Sequence, residues 1–436
     1  MASAAAPPIS QHHPAKWVPL AVFLVALAVR VTLVLLHPRP LVSDELDYDQ
    51  LGWTLATTGR LETDGHPTAY HMPGYPAFVA ATYAIFGRSL TALGIVQGVI
   101  DSLTAVLLTL LVPRRHPRAA LGLGLTWAFL PAAVLFSSQM FTETVFVFVV
   151  IGLTVFLSKA RPLSSPAACA VGVILGGLIL IRLVAAILIP TVPLLVPPRP
   201  ARLRLLLISF ACLPLALWTL RNALVLHKLV LATFLGVNLL IANHPGATGR
   251  YKVDSLPHGN VRGEAASDSA SFQVAMHHIW TKPGDFVVRG GRKVLLLLIS
   301  EGELVAGHFS PKAQDPSARY LEKLRAVPVW LHLLVSLPTA LVLILGSFGL
   351  ATRAHDRTGT IFAALAVGTV VSVLFFIGSS RYRFPLMPFL ALFSTEFLAD
   401  PRSRLASVRP MRLVLASGVS LLMIVVWAVE FHMAHG

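Results

Sequence analysis

The sequence predicts an all-α polytopic membrane protein. Of its 436 residues, 55% are hydrophobic and only 13% are charged, which is about half the charged fraction of an average soluble domain. Several uninterrupted apolar runs approach the length of about 20 residues that a helix needs to cross a hydrocarbon core. The net charge of +15 does not indicate nucleic-acid binding, because the basic residues lie mostly in short clusters between apolar runs, as orientation signals do.

Apolar runs separated by polar breaks predict about eleven transmembrane helices. They lie near residues 17–36, 90–112, 119–136, 142–158, 166–181, 184–198, 203–222, 328–350, 360–378, 384–399 and 411–431. The first run stays apolar to Leu36, well beyond its A-x-A match at 26–28, so we predict a retained span and not a cleaved signal peptide. The two runs around Arg182 are short enough to be half-spans. Residues 1–16 are polar and contain proline, and we expect a disordered cytoplasmic N-terminus there.

Short basic breaks between the predicted spans indicate the orientation. They lie at 113–118, 158–161, 197–204, 351–357 and 400–409. Counting from a cytoplasmic N-terminus places all of them inside, where Lys and Arg are in excess in membrane proteins. The same count predicts an integral plasma-membrane protein with an extracytoplasmic active site. Its parts are an N-terminal transmembrane module 17–222 with a first outer loop 37–89, an extracytoplasmic region 223–327 with interfacial helices, and C-terminal helices 328–436.

The first outer loop begins with four carboxylates in LVSDELDYDQ (41–50). If this segment is a helix capped by Ser43, Asp44 and Tyr48 share one face, and acids suit the first turn. Leucines and a tryptophan that follow favour an interfacial helix. The alternative is an acidic turn that does nothing but cap the helix.

A proline-rich turn closes the same loop. The segment TAYHMPGYPAF (68–78) contains His71 and Tyr75 and precedes an apolar helix of only about a dozen residues, which is too short to span. We therefore expect the acidic turn and the proline-rich turn to bracket one pocket on the outer face.

Arginines at the predicted outer ends of spans are informative, because orientation signals place few positive charges there. A charge within a membrane segment costs at least about 2.5–3.5 kcal/mol, so each of these arginines requires an anionic partner. That partner is a lipid headgroup, a carboxylate of the protein or a ligand phosphate, and the planar guanidinium suits phosphate oxygens. The predicted phosphate-binding residues are Arg30, Arg88, Arg182, Arg221, Arg381 and Arg383.

Carboxylates and arginines at an outer lipid boundary predict transfer of a group from a lipid phosphate to a hydroxyl. One carboxylate acts as general base on the acceptor hydroxyl while cations hold the departing phosphate. Because phosphate is already a good leaving group, the second carboxylic acid of glycosidases is not needed. Glu143, at the outer start of the fourth predicted span, is either a helix N-terminal acid favoured by the dipole or a residue that positions the acceptor or sugar.

The order of these motifs resembles the GT-C membrane glycosyltransferases of the family 39 type, which include protein O-mannosyltransferases and lipid A aminoarabinose transferases. The motifs are Asp44-Glu45, His71-Met72-Pro73 with Tyr75-Pro76, Glu143, Arg221-Asn222, GVNLLIANHPGATG (236–249) and RYRFPLMP (381–388). The resemblance implies a GT-C-like fold, a polyprenyl-phosphate sugar donor, an inverting transfer and Asp44 as the base, with Glu45 beside it in the catalytic pair. His71-Met72-Pro73 departs from the His-Pro-Pro of protein O-mannosyltransferases, so the acceptor stays open among a glycan, a lipid, a peptide and a protein.

The second outer region adds residues with two possible roles. Asn238 and Asn243 lie in a Gly/Asn/Pro-rich stretch that suits either sugar hydroxyls or ordinary turns. The histidines at 66, 71, 277 and 278 lack metal-ligand spacing, and we expect neither a metal nor another cofactor. A transporter or flippase of lipid-linked sugars is the main alternative. Transporters place charges near the midplane and show repeated halves, whereas these charges gather at the outer edge.

Overall fold

The computed structural model describes residues 17–159, 163–195, 201–251, 263–315, 319–406 and 408–436. The predicted disordered N-terminus, 1–16, lies outside the described residues, as do parts of the basic breaks at 158–161, 197–204 and 400–409.

The described chain is almost entirely helical. The α-helices in its first half are α1 (Trp17–Leu36), α2 (Asp44–Thr58), α3 (Gly74–Phe86), α4 (Leu90–Thr109), α5 (Pro117–Phe129), α6 (Pro131–Ser138), α7 (Glu143–Lys159), α8 (Ser165–Ile181), α9 (Leu188–Leu195) and α10 (Ala201–Leu226). Those in its second half are α11 (Leu235–Asn243), α12 (Glu264–Thr281), α13 (Pro283–Leu296), α14 (Gly302–Phe309), α15 (Tyr320–Arg325), α16 (Val329–Thr352), α17 (Arg357–Phe375), α18 (Met387–Ala399), α19 (Pro401–Ala406) and α20 (Pro410–His435). Two 3₁₀ turns, Leu183–Ile187 and Ser380–Leu386, and one short antiparallel pair, β1 (Glu62–Thr63) with β2 (His66–Pro67), complete the described elements.

Six helices in the described ranges are long and apolar enough to cross a membrane: α1, α4, α10, α16, α17 and α20. The pair α5 and α6, bent by 52° at Leu130, would make a seventh span. An integral membrane protein is therefore confirmed, whereas the number eleven stays a prediction. The other predicted spans coincide with shorter helices, α7, α8, α9 and α18, of 17 residues or fewer.

Outer helices show apolar side chains on their exposed faces, as contact with lipid requires. On α20, for example, Met411, Val414 and Leu421 are each more than 60% exposed. The interior is instead packed from α1, α4 to α8 and α16 to α18, with Trp127 and Phe393 fully buried.

Small residues bring α8 against α10. A Cβ atom on Gly172 would lie 2.4 Å from the carbonyl oxygen of Leu207, and one on Gly176 would lie 2.4 Å from that of Ala211. Only glycine allows the two backbones to approach this closely, a packing common between membrane helices. The contact fixes the end of α8, where Arg182 follows as the C-terminal cap.

The first outer loop folds as a helical hairpin, α2 packed on α3. Helix α2 begins at Asp44 as predicted, and α3 has 13 residues, close to the predicted dozen. The predicted cap at Ser43 is wrong in its detail, because the Ser43 side chain makes no capping hydrogen bond. Glu264 at the start of α12 accepts hydrogen bonds from Thr68 and from the backbone of Ala69 (3.0 Å), which ties the second outer region to this loop.

Candidate active site

Four separated stretches of the chain meet in one group of alternating charges. Arg381, in the 3₁₀ turn Ser380–Leu386, donates from NH1 to Asp44 Oδ2 at 3.1 Å and from NH2 to Glu143 Oε2 at 3.3 Å, and its Nε also donates to Glu143. Arg182, after α8, donates from NH1 to Glu143 Oε1 at 2.5 Å and to Thr142 Oγ1 at 3.2 Å. We call Asp44, Glu143, Arg182 and Arg381 the ionic cluster.

Burial decreases across the ionic cluster in one direction. The side chain of Glu143 is 0% exposed, that of Arg182 12%, that of Arg381 23% and that of Asp44 42%. Burial lowers the pKa of Arg381, but Glu143 and Asp44 outweigh it and raise the pKa above its ordinary value. Arg381 therefore stays charged, and the cluster opens to the surroundings at Asp44.

The backbone before Asp44 is strained. Ser43 has φ 54° and ψ −131°, a combination that costs a residue other than glycine of order 1–3 kcal/mol. Asp44 follows directly as the first residue of α2, and its Oδ2 accepts from Arg381. The other oxygen, Oδ1, has only a long contact of 3.4 Å from the Ser43 hydroxyl. One carboxylate oxygen of Asp44 is thus available to a ligand.

Tyrosines surround the exposed end of the cluster. In the described part of the chain, the hydroxyls of Tyr48, Tyr70, Tyr251 and Tyr382 have no hydrogen-bond partner. Burial raises the pKa of each, and the Asp44 carboxylate adds to the rise in all four. These hydroxyls therefore remain protonated donors. Of these four tyrosines, only Tyr48 belongs to the predicted site. The position of Tyr382 between two arginines was the available sign for that residue.

Aromatic rings hold the two arginines of the cluster in place. The guanidinium carbon of Arg381 lies 3.9 Å from the ring centroid of Phe141, and that of Arg182 lies 5.8 Å from the ring centroid of Tyr382. Both distances are within the range of cation–π attraction.

The acidic turn and the proline-rich turn are in contact, whereas the pocket that they are expected to bracket stays a prediction. The ring of Tyr48 lies 4.6 Å from the ring of His71 and 4.8 Å from that of Tyr75. His71 Nε2 lies 3.0 Å from Asp47 Oδ2. Tyr75 itself is fully buried, and its hydroxyl donates to Gln97 at 2.7 Å. His71 and Tyr48 therefore form the contact between the two turns, whereas the buried Tyr75 supports that contact from within.

Glu45 does not share the exposed position of Asp44. It pairs with Arg39 and accepts from the backbone nitrogens of Val42 (3.0 Å) and Met140 (2.8 Å), and it is 0% exposed. Because these bonds occupy its oxygens away from the cluster, the expected catalytic role is corrected to a positional one. Glu45 fastens the start of α2 to the residues before α7.

Two predicted phosphate-binding arginines are buried elsewhere. Arg30 is 0% exposed and pairs with Asp101 of α4 at 2.6 Å, and it also donates to the carbonyl of Trp127 at 3.0 Å. Arg383 is nearly buried and donates to Glu301 at 2.6 Å and to the carbonyl of Leu297 at 2.6 Å. Both predictions are corrected, because these side chains satisfy internal groups and do not face the ionic cluster.

The remaining two arginines also have partners inside the protein. Arg221 donates to the carbonyls of Thr68 (2.8 Å) and Leu61 (3.1 Å), which anchors the first outer loop to the end of α10. Arg88 pairs with Asp49 at 2.5 Å, with its side chain 44% exposed. Neither belongs to the ionic cluster, so the predicted set of six contributes two members to it, Arg182 and Arg381.

The two asparagines are placed on α11. Asn243 is buried. Its amide donates to the carbonyl oxygens of Leu239 (2.8 Å) and Phe375 (2.7 Å), and Lys293 donates to its side-chain oxygen at 3.2 Å. Its predicted contact with sugar is therefore corrected to a structural role. Asn238 is half-buried. Across the described ranges, no three His, Cys, Asp or Glu side chains are grouped to hold a metal ion.

No protein-family model matches the chain, and no curated protein matches it. Among solved structures, the apo oligosaccharyltransferase of Archaeoglobus fulgidus resembles it with a TM-score of 0.47 and 14% identity, over 96% of this chain and 56% of that one. The same enzyme tethered to an acceptor peptide gives 0.45 and 14%, over 96% and 55%. ArnT from Cupriavidus metallidurans bound to undecaprenyl phosphate gives 0.37 and 16%, over 88% and 77%.

The chain spans just over half the length of the oligosaccharyltransferase. Identities of 14–16% and TM-scores below 0.5 carry no argument about substrate or mechanism. Membership of the family 39 type stays a prediction.

Proposed function

We propose that the chain is a membrane glycosyltransferase that moves a sugar from a polyprenyl-phosphate donor to a hydroxyl acceptor, with inversion. The observation that carries the proposal is the ionic cluster, in which an exposed carboxylate and two arginines come together from stretches up to 337 residues apart. Such a combination suits abstraction of a proton beside a bound phosphate.

Asp44 is the proposed general base. Glu143 is fully buried and both of its oxygens accept from arginines, whereas Asp44 is 42% exposed and keeps Oδ1 for a ligand. The acceptor oxygen attacks the anomeric carbon as its proton passes to Asp44. A new carbon–oxygen bond forms, the bond from the anomeric carbon to the phosphate oxygen breaks, and polyprenyl phosphate leaves.

The phosphate of the donor is assigned to Arg381, and Arg182 is the more buried arginine of the same site. Arg381 is the more exposed of the two, at 23%, and its NH1 already points to the open side of the cluster. Guanidinium groups that are fixed in advance by Glu143 and by aromatic rings stabilise developing phosphate charge without reorganising. Glu143 is thus a residue that positions the arginines.

The sugar is assigned to the tyrosine side of the cluster. Tyr48, Tyr70 and Tyr382 offer flat apolar rings together with hydroxyl donors that lack protein partners in the described ranges. This pairing of ring and hydroxyl suits a sugar, which is apolar on one face and rich in hydroxyls at its edge. The site is assigned to the extracytoplasmic face of the plasma membrane, because the basic breaks lie at the other ends of the helices.

A turnover assay with a matched pair of variants tests the proposal. The purified protein receives a panel of polyprenyl-phosphate sugars and hydroxyl acceptors of lipid, glycan and peptide type, and release of polyprenyl phosphate is measured. Asp44→Asn is expected to lower kcat by about 10²–10⁴-fold, the usual contribution of a general base. The control Asp47→Asn, which removes a carboxylate 52% exposed and paired with His71, is expected to stay within a few-fold of wild type.

Two outcomes oppose the proposal. Full turnover by Asp44→Asn removes the assigned base. No release by wild type across the whole panel, together with movement of a lipid-linked sugar across vesicles, favours the transporter alternative.

A further inference from the structure

A cavity lies at the far end of the helices from the ionic cluster. Helix α4 starts next to Arg88 and ends at Thr109, and α18 starts after the Arg381 turn and ends at Ala399. The cavity, of about 750 Å³, lies between the start of α5 and the end of α18. It belongs to the opposite face of the protein and has the size of a small-molecule site.

One wall of this cavity is strongly basic. Arg114, Arg115 and Arg118 line it and are exposed. In the described part of the chain none of them pairs with a carboxylate. The nearby Glu396 of α18 already pairs with Arg353. Three adjacent guanidinium groups without a counter-charge form a site suited to an anion with several oxygens.

The other wall is mostly apolar, and its two threonines, Thr126 and Thr395, donate their hydroxyls to carbonyl oxygens of their own helices. Gly122 of α5 and Leu398 and Ala399 of α18 line it, and Leu398 is 59% exposed. A Cβ atom on Gly122 would meet nothing within 4 Å, so the space beside this glycine is open. A soluble phosphate gains no stabilisation from contact with an apolar wall, whereas the acyl chains of a lipid are stabilised when they are buried against it.

We propose that this cavity binds an anionic phospholipid of the leaflet opposite the ionic cluster. The phosphodiester lies among Arg114, Arg115 and Arg118, and the first part of the acyl chains lies along Gly122 and Leu398. Basic pockets between membrane helices recognise acidic lipid headgroups in this way. Binding of a lipid in this cavity thus differs from the diffuse electrostatic attraction of lipids to a basic surface.

Native mass spectrometry of the full-length protein in detergent tests the site. Phosphatidylglycerol and phosphatidylcholine with the same acyl chains are titrated separately, and bound lipid is counted. Each arginine at an anionic lipid surface contributes roughly five-fold, so Arg114→Ala/Arg115→Ala/Arg118→Ala is expected to weaken phosphatidylglycerol binding on the order of 100-fold. Phosphatidylcholine binding is expected to be weak in both proteins.

A charge-matched control separates the cavity from the surface. Arg402, Arg409 and Arg412 are also exposed, lie on the same face and do not line the cavity. Their triple alanine variant is expected to keep phosphatidylglycerol affinity within about two-fold. An equal loss in both triple variants overturns the proposal, because it shows attraction to net charge alone.

A second variant tests the apolar wall without changing any charge. Gly122→Phe places a ring in the open space beside Gly122 and is expected to weaken phosphatidylglycerol binding at least about ten-fold, with an unchanged thermal unfolding curve. Wild-type affinity in Gly122→Phe overturns the proposal. Glycerol phosphate that binds as tightly as phosphatidylglycerol also overturns it, because the site then takes a soluble anion.

Discussion

Replacing Glu143 with glutamine tests whether the ionic cluster is a dry, paired group. The carboxylate is 0% exposed and lies between two guanidinium groups that are 12% and 23% exposed. Glutamine keeps the shape and one acceptor oxygen but removes the negative charge. Apart from a hydrogen bond to the glutamine oxygen, Arg182 then keeps Thr142 at 3.2 Å, and Arg381 keeps Asp44 at 3.1 Å.

The expected cost follows from the two arginines left behind. Removing one member of a buried ion pair costs about 3–5 kcal/mol, because the remaining charge is desolvated without compensation. Since Arg381 retains Asp44 and glutamine still accepts one hydrogen bond, we expect the lower end, about 3 kcal/mol. Chemical unfolding of the full-length protein in detergent measures the free energy of unfolding directly.

Glu62→Gln is the matched control for this measurement. Glu62 pairs with Arg60 at 3.7 Å, and the Arg60 side chain is 74% exposed, so its ion pair is worth at most about 1 kcal/mol. A loss of free energy of unfolding in Glu143→Gln no larger than that in Glu62→Gln would contradict this prediction. That result would mean that water already solvates the cluster and that its arginines are not held in place.

Three further predictions concern stability. Burial lowers the pKa of His308 to about 3, so between about pH 6.5 and 3 the unfolded chain holds one more proton than the folded chain, and acidification destabilises the fold by up to about 1.4 kcal/mol per pH unit. His308→Phe should flatten that part of the unfolding profile, and an unchanged slope would contradict the assignment. Arg30→Ala should cost about 3–5 kcal/mol in unfolding experiments and adding Asp101→Asn should recover part of it, while donor affinity stays unchanged. Gly176→Ala should cost about 1–3 kcal/mol by forcing α8 from α10, whereas Gly177→Ala, whose Cβ meets nothing within 4 Å, should cost nothing in the same assay.

Helix positions follow from the sequence because they depend on local composition. The run of apolar residues at 17–36 gives α1 with the same bounds, and the run at 203–222 lies within α10. Leu130 is extended (φ −64°, ψ 112°) because it precedes Pro131, and α18 begins only at Met387, after a 3₁₀ turn that contains Pro385. Run length alone therefore overestimates the number of helices of full spanning length.

The partners of buried charges are harder to predict from the sequence than the positions of helices. Arg30 and Asp101 are separated by 71 residues, and no local pattern joins them. Asp101 nevertheless lies within a predicted span, and a carboxylate at that depth requires a cation. Matching these two intramembrane charges to each other would have removed Arg30 from the predicted phosphate site.

The neighbours Arg381 and Arg383 show a local reason for a wrong assignment. A 3₁₀ turn has three residues per turn, so residues two apart point in different directions. Arg381 consequently faces Glu143, while Arg383 faces Glu301. The sequence RYRFP alone does not reveal that its backbone forms a 3₁₀ turn, and an extended strand would have placed both arginines on one face.

The balance of charge in the ionic cluster decides how a donor phosphate enters it under the proposed function. Two carboxylates face two guanidinium groups, so the resting cluster has no net charge. A phosphate can pair with a guanidinium group only if it replaces a carboxylate that is already bound there. A carboxylate held by one hydrogen bond from Arg381 is replaced more readily than one held by several. That carboxylate is Asp44. Binding of the donor and release of the base are therefore one event, because the phosphate that occupies Arg381 frees Asp44 for the acceptor hydroxyl.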